Sequence, residues 1–583
     1  MKQWWKEAVV YQIYTKSYYD TNGDGIGDLR GIIEKLDYIQ SLGADVIWLN
    51  PIYRSPDVDN GYDIADYQSI DERYGTMEDF KELLLQVHKR GMRLIMDMVL
   101  NHTSDEHRWF LESKKSKDNP YRDYYIWRPG KDGKEPNNWG NYFYEGRGSA
   151  WEYDENTQEY YLHNYSKKMP DLNWDNPALK EDMCSMMRWW LDLGVDGFRM
   201  DAINRLVKPK GLPDSSNPPT PPVGIYGYVV DRTMCANRPG IHELLHELNE
   251  KVFGRYDIMV VGETGNVDAA IAIDYVKEDR EEIDMVFHFE IAKNPVLVDA
   301  VKFKEVQRRW YHVVEQHGWI TQYLSNHDTP RQVSRFGNDK EYRYESASML
   351  ATLMHTHSGT VYIYQGEEIG MTNVDFPSIE YYNEKYTVGK YETMVESGVD
   401  PVTALNSLKM MSRDNDRTPM QWNQREHGGF TEGTPWMHAN PNYPEINVER
   451  EEQAEKSVLR YYRRLTAMRK QYSIMVYGTY RQLMEEDQEL IVYEREYEGE
   501  KWLVVCNFYG QDRELPKEIK DVVGADGRLL LGNYETADRS GNGTAGEAAY
   551  GTAAWTEAEA VNIIAGDMLR PYEARIYQIR GNL

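Results

Sequence analysis

The chain has 583 residues, with 67 Lys and Arg against 95 Asp and Glu, a formal charge of −28. That length supports two to four domains, and 41% apolar with 28% charged residues describes a globular chain. A surface this acidic repels phosphate backbones and anionic lipid, which excludes nucleic acid and membrane as partners.

In chain order, Met1–Tyr14 (MKQWWKEAVVYQIY) lacks the apolar core of a signal peptide. No stretch approaches the ~20 apolar residues of a membrane span. β-Branched or apolar runs then recur as candidate strands: Val9–Ser17, Ala44–Asn50, Arg93–Leu100, Asp196–Asp201, Ile258–Glu263, Met285–Phe289, Ile320–Asp328 and Thr360–Glu367. Between several of them lie helical patterns. Gly31–Leu42 and Met77–Arg90 space apolar residues helically and end at Gly43 and Gly91. Eightfold strand–helix alternation predicts an α/β fold, a (β/α)8 TIM barrel.

The gap between the third and fourth strands is too long for an ordinary connection, and it is rich in Tyr, Trp, Asn and Gly. It predicts an inserted small domain. The Pro-rich Lys208–Val223 and the stretch from Gly370 to Asn442 read as further long loops on the same side of the barrel. After Gln482 the pattern changes to short strands at Leu490–Arg495, Lys501–Phe508 and Glu573–Ile579 without helices between them. The expected division is barrel 1–101, inserted domain 102–172, barrel 173–482 and a C-terminal antiparallel β domain 483–583.

Cys184, Cys235 and Cys506 form neither a disulfide framework nor a zinc motif. The expectation is a cytoplasmic monomer in a reducing compartment. The 45 Tyr and 16 Trp, against 12 Phe, suit surfaces that stack on amphipathic ligands such as sugars.

Carboxylates carry the chemistry. Asp97, Asp201, Glu263 and Asp328 sit within or at the ends of the third, fourth, fifth and seventh strands. Strand ends are where barrel enzymes place catalytic groups. A lone Asp there is usually a cap, but four in register beside His102, Arg199 and His327 are not. Arg199 precedes Asp201 by two residues, so both side chains face one side of the strand.

Separately, Asp20-Thr-Asn22-Gly-Asp24-Gly-Ile26-Gly-Asp28 follows the start of a calcium loop, with Ile26 offering its carbonyl. Its twelfth position is Gly31, so the bidentate Glu is missing. A plain Gly/Asp turn is the alternative.

The segments DMVLNH (Asp97–His102), MPDLNW (Met169–Trp174), GFRMDAI (Gly197–Ile203), GET (Gly262–Thr264) and LSNHD (Leu324–Asp328) resemble the conserved regions of the α-amylase family, glycoside hydrolase family 13. DNGYDIADY (Asp59–Tyr67), NHDTPRQVSRFG (Asn326–Gly337) and SRDNDRTPMQW (Ser412–Trp422) resemble its oligo-1,6-glucosidase and α-glucosidase subfamily.

The resemblance implies Asp201 as nucleophile, Glu263 as general acid/base with a raised pKa, and Asp328 as the third carboxylate gripping sugar hydroxyls. It further implies Arg199 holding Asp201, His102 and His327 donating to hydroxyls, Tyr62 as platform, and Asp63 with Arg413 closing the pocket. Asp97 looks structural, and Asp59, Asp66, Arg417 and Trp422 read equally well as fold residues. No cofactor is implied for catalysis, but a structural Ca2+ (or Mg2+) is, at Asp20, Asn22, Asp24, Ile26 and Asp28.

The implied activity is a retaining, exo-acting α-glucosidase on short oligosaccharides. Linkage is open. Ala202 stands where α-1,6-preferring members carry Val, Thr264-Gly265-Asn266 departs from their pattern, and Met169 replaces Gln. Two alternatives stay: a sucrose isomerase or transglucosylase, against which the hydrolase-like VSRFGND (Val333–Asp339) speaks, and a non-catalytic scaffold, against which the retained carboxylates speak.

Overall fold

The computed structural model describes residues 3–221, 223–292, 299–524, 527–534 and 567–579. Eight strands run parallel: β1 (Val9–Ile13), β2 (Val46–Leu49), β3 (Arg93–Val99), β4 (Gly197–Asp201), β5 (Met259–Glu263), β6 (Met285–Phe287), β7 (Thr321–Gln322) and β8 (Thr360–Tyr364). Their order is β6-β5-β4-β3-β2-β1-β8-β7. A parallel bridge from Val286 to Ile320 joins β6 to the start of β7 and closes the cylinder. The fold is the expected (β/α)8 barrel.

Strand alternation explains both the core and the site. Val10, Val46, Trp48, Ile95, Met259, Val261, Met285, Phe287 and Tyr362 share one cluster inside the barrel. Their neighbours Val9, Tyr11, Ile47, Leu94, Met96, Phe198 and Val260 pack outward against helices. Two residues beyond Ile95 comes Asp97, and two beyond Val261 comes Glu263. Both therefore continue an inward-facing row.

Register then sets the layers. Asp97 pairs with Arg199 and Val99 with Asp201, while Val261 also lies opposite Arg199. Asp97 and Arg199 form one layer, and Asp201 and Glu263 the layer above it. Gly197 makes this approach possible: at φ 144° it lies so close to β5 that a Cβ would sit 2.0 Å from the Met259 carbonyl oxygen.

The helices are locally specified. Met77–Lys89 opens on a capping box between Thr76 and Asp79 and buries Phe80, Leu83, Leu84 and Val87. Pro177–Leu193 begins after an Asn176 cap and ends on left-handed Gly194. The single helix expected over Gly31–Leu42 is instead two, Leu29–Glu34 and Leu36–Leu42, separated at Lys35. All eight strands are shorter than expected, β1 and β7 by the most. β1 ends at Ile13 before a 3-10 turn at Thr15–Ser17, and β7 spans only two residues. In both places side-chain bonds replace the ladder: Gln365 accepts from the Tyr14 amide, and Thr329 Oγ1 from that of Asn326.

Between β3 and β4 lies a three-stranded antiparallel sheet of Trp127–Arg128, Glu159–Leu162 and Trp151–Asp154, with Glu159–Leu162 central. The C-terminal sheet is antiparallel: β9 (Thr479–Leu483), β10 (Leu490–Tyr497), β11 (Glu500–Asn507), β12 (Arg528–Gly532) and β13 (Ala574–Ile579), ordered β9-β10-β11-β13-β12. Residues 535–566 and 580–583 of the expected C-terminal domain lie outside the described residues. Among the described residues no helix is long and apolar enough to cross a membrane.

Candidate active site

One buried guanidinium organises the barrel's upper end. Arg199 Nη1 lies 2.7 Å from Asp97 Oδ1 and 2.6 Å from Asp201 Oδ1, and its Nη2 lies 2.8 Å from Glu263 Oε2. Glu263 Oε2 also accepts from the Ala202 amide at 3.3 Å. Three carboxylates thus share one cation. Burial, with the charges of Glu263 and Asp97, pushes the Asp201 carboxyl up, against the opposing pull of Arg199. Asp97 is pushed up to about 6 by burial, again against Arg199. Charges this close titrate together, and their mutual repulsion favours protonation of one member of the cluster.

Asp97 is fully buried, and besides Arg199 it accepts from Tyr62 Oη (2.9 Å) and Trp48 Nε1 (3.3 Å). A chain of donors fixes Tyr62. Gln12 Nε2 donates to Asn50 Oδ1 at 3.0 Å, and Asn50 Nδ2 donates to Tyr62 Oη at 2.8 Å. Gln12 Nε2 also lies 2.8 Å from His327 Nδ1, and Tyr62 Oη 2.7 Å from His327 Nε2. Donation by the amide to Nδ1 assigns the His327 proton to Nε2. Burial lowers His327 to about 3 and His102 to about 4, so both rings are neutral. His102 Nε2 is buried on the pocket wall and has no hydrogen-bond partner among the described residues.

Asp328 closes the other side. Its Oδ1 lies 3.0 Å from Arg417 Nη2 and 3.4 Å from Arg413 Nη1, and Arg417 Nε donates to the His327 carbonyl at 3.1 Å. The cavity between these groups has a volume of about 400 Å³. Tyr62, His102, Asp201, Glu263, His327, Asp328 and Arg413 line it, with Arg199 beneath.

Asp63 requires a correction. It is fully buried and accepts from the Val58 and Asp59 amides at 2.8 and 2.9 Å, so it faces its own loop and not the cavity. Asp59 lines the cavity instead, its carboxyl raised by burial and opposed by Arg413 and Arg417. Positive φ at Asp57, Asn60 and Gly61 turns the chain sharply there, which reverses the side each residue faces. Asp63 therefore positions the loop that presents Asp59.

The two carboxylates should separate experimentally. Asp59→Asn is expected to raise KM for glucosides about tenfold with little change in thermal midpoint, the loss of one charged hydrogen bond. Asp63→Asn is expected to lower the midpoint, because two loop amides lose a charged acceptor. Unchanged KM in Asp59→Asn would remove it from the sugar site.

Of the other residues set aside, Arg417 also lines the cavity, whereas Asp66 and Trp422 bond within the fold, to Ser69 and the Tyr18 carbonyl. Sequence reasoning missed Phe143, Tyr165, Arg205, Arg232, Asn266 and Phe289, all on the cavity wall. The Tyr- and Trp-rich insertion was a signal for Tyr165, but no spacing pointed to Arg205 or Arg232.

The acidic loop near the N-terminus is knitted to itself. Asp20 accepts from the Asn22, Gly23 and Gly25 amides, Asp24 from that of Ile26, and Asp28 from those of Thr21 and Gly31. Among the described residues no group of three or more His, Cys, Asp or Glu converges to hold a metal. The oxygen donors suit Ca2+ or Mg2+, but a cation there would compete with these amide bonds.

A closed barrel with paired carboxylates on its fourth and fifth strands, clamped by one arginine, defines a class of sugar-cleaving enzymes. The α-amylase catalytic-domain family matches residues 12–478, and the maltogenic amylase C-terminal domain matches residues 480–544. The chain belongs to the α-amylase family and is a glycoside hydrolase. It is 50% identical to the oligo-1,6-glucosidase of Halalkalibacterium halodurans over 99% of each chain. Among solved structures it resembles the trehalose-6-phosphate hydrolase of Bacillus licheniformis (43% identity, TM-score 0.87, 100% of both chains). It also resembles the isomaltulose synthase of Klebsiella sp. LX3 (40% identity, TM-score 0.88, 99% of this chain and 100% of that one).

Proposed function

We propose that the chain is an exo-acting, retaining α-glucosidase that releases the terminal non-reducing glucose from short α-1,4- and α-1,6-linked oligosaccharides. The observation that carries this reading is the placement of Asp201 and Glu263 on the two terminal nitrogens of Arg199, beneath a cavity ended by Asp59, Asp328, Arg413 and Arg417.

In this reading Asp201 attacks the anomeric carbon while Glu263 gives its proton to the leaving oxygen. A glucosyl ester on Asp201 results. Glu263, now ionised, takes a proton from water, whose oxygen displaces Asp201 and restores both groups. Asp328 and His102 hold hydroxyls as the ring flattens, His327 being engaged by Gln12 and Tyr62, and Asp59 with Arg413 ends the cavity beyond the terminal glucose.

Ala202 is small and lines the leaving-group side, so it leaves room for either linkage. The oligo-1,6-glucosidase name of the Halalkalibacterium relative supports α-1,6 activity. The test is glucose release from maltose, isomaltose, isomaltotriose, sucrose, trehalose and starch, with the first-formed anomer read by NMR. α-Glucose is expected first. β-Glucose first would overturn retention, and starch outrunning the disaccharides would overturn the closed end.

A second reading, sucrose isomerisation, is favoured only by the likeness to the isomaltulose synthase. In the sucrose reaction, isomaltulose in place of free glucose and fructose would establish it.

The reading includes a structural cation at Asp20–Asp28, remote in role from the two-carboxylate chemistry. Exhaustive chelation is expected to lower the thermal midpoint by several degrees, with recovery on adding Ca2+; no shift and no metal by elemental analysis would end that part. It also includes a cytoplasmic monomer, with which three buried free cysteines agree.

A further inference from the structure

Two guanidinium groups on the cavity wall make no salt bridge among the described residues, although Arg205 feels the charge of Glu263. Arg205 is only 7% exposed. Its bonds go to neutral groups: Nη1 to the Arg232 carbonyl (2.6 Å) and Tyr142 Oη (3.2 Å), Nη2 to Asn266 Oδ1 (3.1 Å). Arg232 donates through Nη2 to the Tyr142 carbonyl at 3.0 Å. Both guanidinium carbons lie 5.1 Å from the centre of the Tyr142 ring. Burying the Arg205 guanidinium without an anion against it is costly, whereas Arg232 beside it stands exposed at the cavity mouth.

Their place in the cavity says what they face. Arg205 follows Asp201 by four residues and bonds to Asn266, three residues beyond Glu263. That is the side of the group that protonates the leaving oxygen. Asp59, Arg413 and Arg417 gather at the opposite side, around Asp328. The segment carrying Arg232 is docked and not loose: the Val229 amide donates to the Asn138 carbonyl, and the Gly140 amide to the Val229 carbonyl, both at 2.8 Å.

Resting on the glucosidase reading, we propose that Arg205 and Arg232 form an anion subsite for the leaving group, so that the enzyme prefers α-glucosides whose reducing-side sugar carries a phosphate monoester. Beyond those bonds Arg205 keeps donor hydrogens at Nη2 and Nε, and Arg232 at Nη1, Nη2 and Nε, and charged N–H donors of this kind suit a phosphate dianion. A neutral sugar would leave them unpaired.

The test compares kcat/KM for maltose and isomaltose phosphorylated on the reducing-side glucose with their uncharged parents. The phosphorylated substrates are expected to be at least tenfold better at low ionic strength, with the advantage shrinking as salt screens the charges. Phosphate moved to the non-reducing glucose should abolish cleavage. Arg205→Met should bring the ratio close to one. Arg232→Gln, at an exposed position, should lower it as well, and it keeps the test decisive if Arg205→Met does not fold. A wild-type ratio at or below one, or a ratio unmoved by substitution, overturns the subsite and leaves the glucosidase reading intact. Failure to cleave the parents and their phosphorylated forms alike removes the glucosidase reading itself, and the subsite with it.

Discussion

Asp201→Asn is expected to lower kcat/KM on maltose and isomaltose by about 10⁴-fold or more while raising the thermal midpoint. The first effect follows because the substitution removes the only group on β4 that can attack the anomeric carbon, and residues acting as a unit lose most of their effect together. The second follows from the charges. Asp97, Asp201 and Glu263 surround one arginine, and burial with mutual repulsion raises both aspartates. Deleting one negative charge relieves that repulsion, the usual trade between stability and a strained active site. Steady-state kinetics and a thermal melt on the same preparation measure both effects. Retention of more than a tenth of the activity would overturn the nucleophile assignment. A lowered midpoint would show that Asp201 also stabilises the fold and would refute the repulsion argument.

Glu263→Gln should cost about 10²–10⁴-fold on disaccharides, the usual contribution of a general acid. The size of the loss should depend on the leaving group. Glucosyl fluoride and activated aryl glucosides need little protonation, so their first step should be nearly spared and only the water-activating step slowed. Gln keeps an oxygen that can accept from the Ala202 amide, so the local bond at 3.3 Å survives. Equal losses on disaccharides and on glucosyl fluoride would mean that Glu263 holds Arg199 and Asp201 in place and moves no proton.

The barrel was legible because its rule is local. A strand buried on both faces reads as a short apolar run, and eight such runs with helices between them admit few topologies. The same period of two placed Arg199 and Asp201 on one face, and the structure has both on a single salt-bridge network. The strand ends were less legible. Ladder bonds stop where a side chain offers a better partner, as Thr329 does for the Asn326 amide, and that partner is set by a turn and not by propensity.

The loops marked the limit. Asp59 and Asp63 stand in one motif with the same charge, and only three positive φ values decide which one faces the cavity. Arg417 looked like a fold residue until its guanidinium was placed 3.0 Å from Asp328, a partner 89 positions away. Phe143, Tyr165 and Arg232 reach the cavity from the insertion and from the long loop after β4, across connections with no repeating pattern.

By itself the sequence determined the barrel, the α-amylase family and the depth of the inward-facing carboxylates, because strand period and register are short-range properties that side-chain alternation transmits directly to position. The tertiary structure alone decided which of two aspartates lines the cavity and brought Arg205 and Arg232 to its wall. Those outcomes depend on loop dihedrals and on packing between distant segments, neither of which has a period to read.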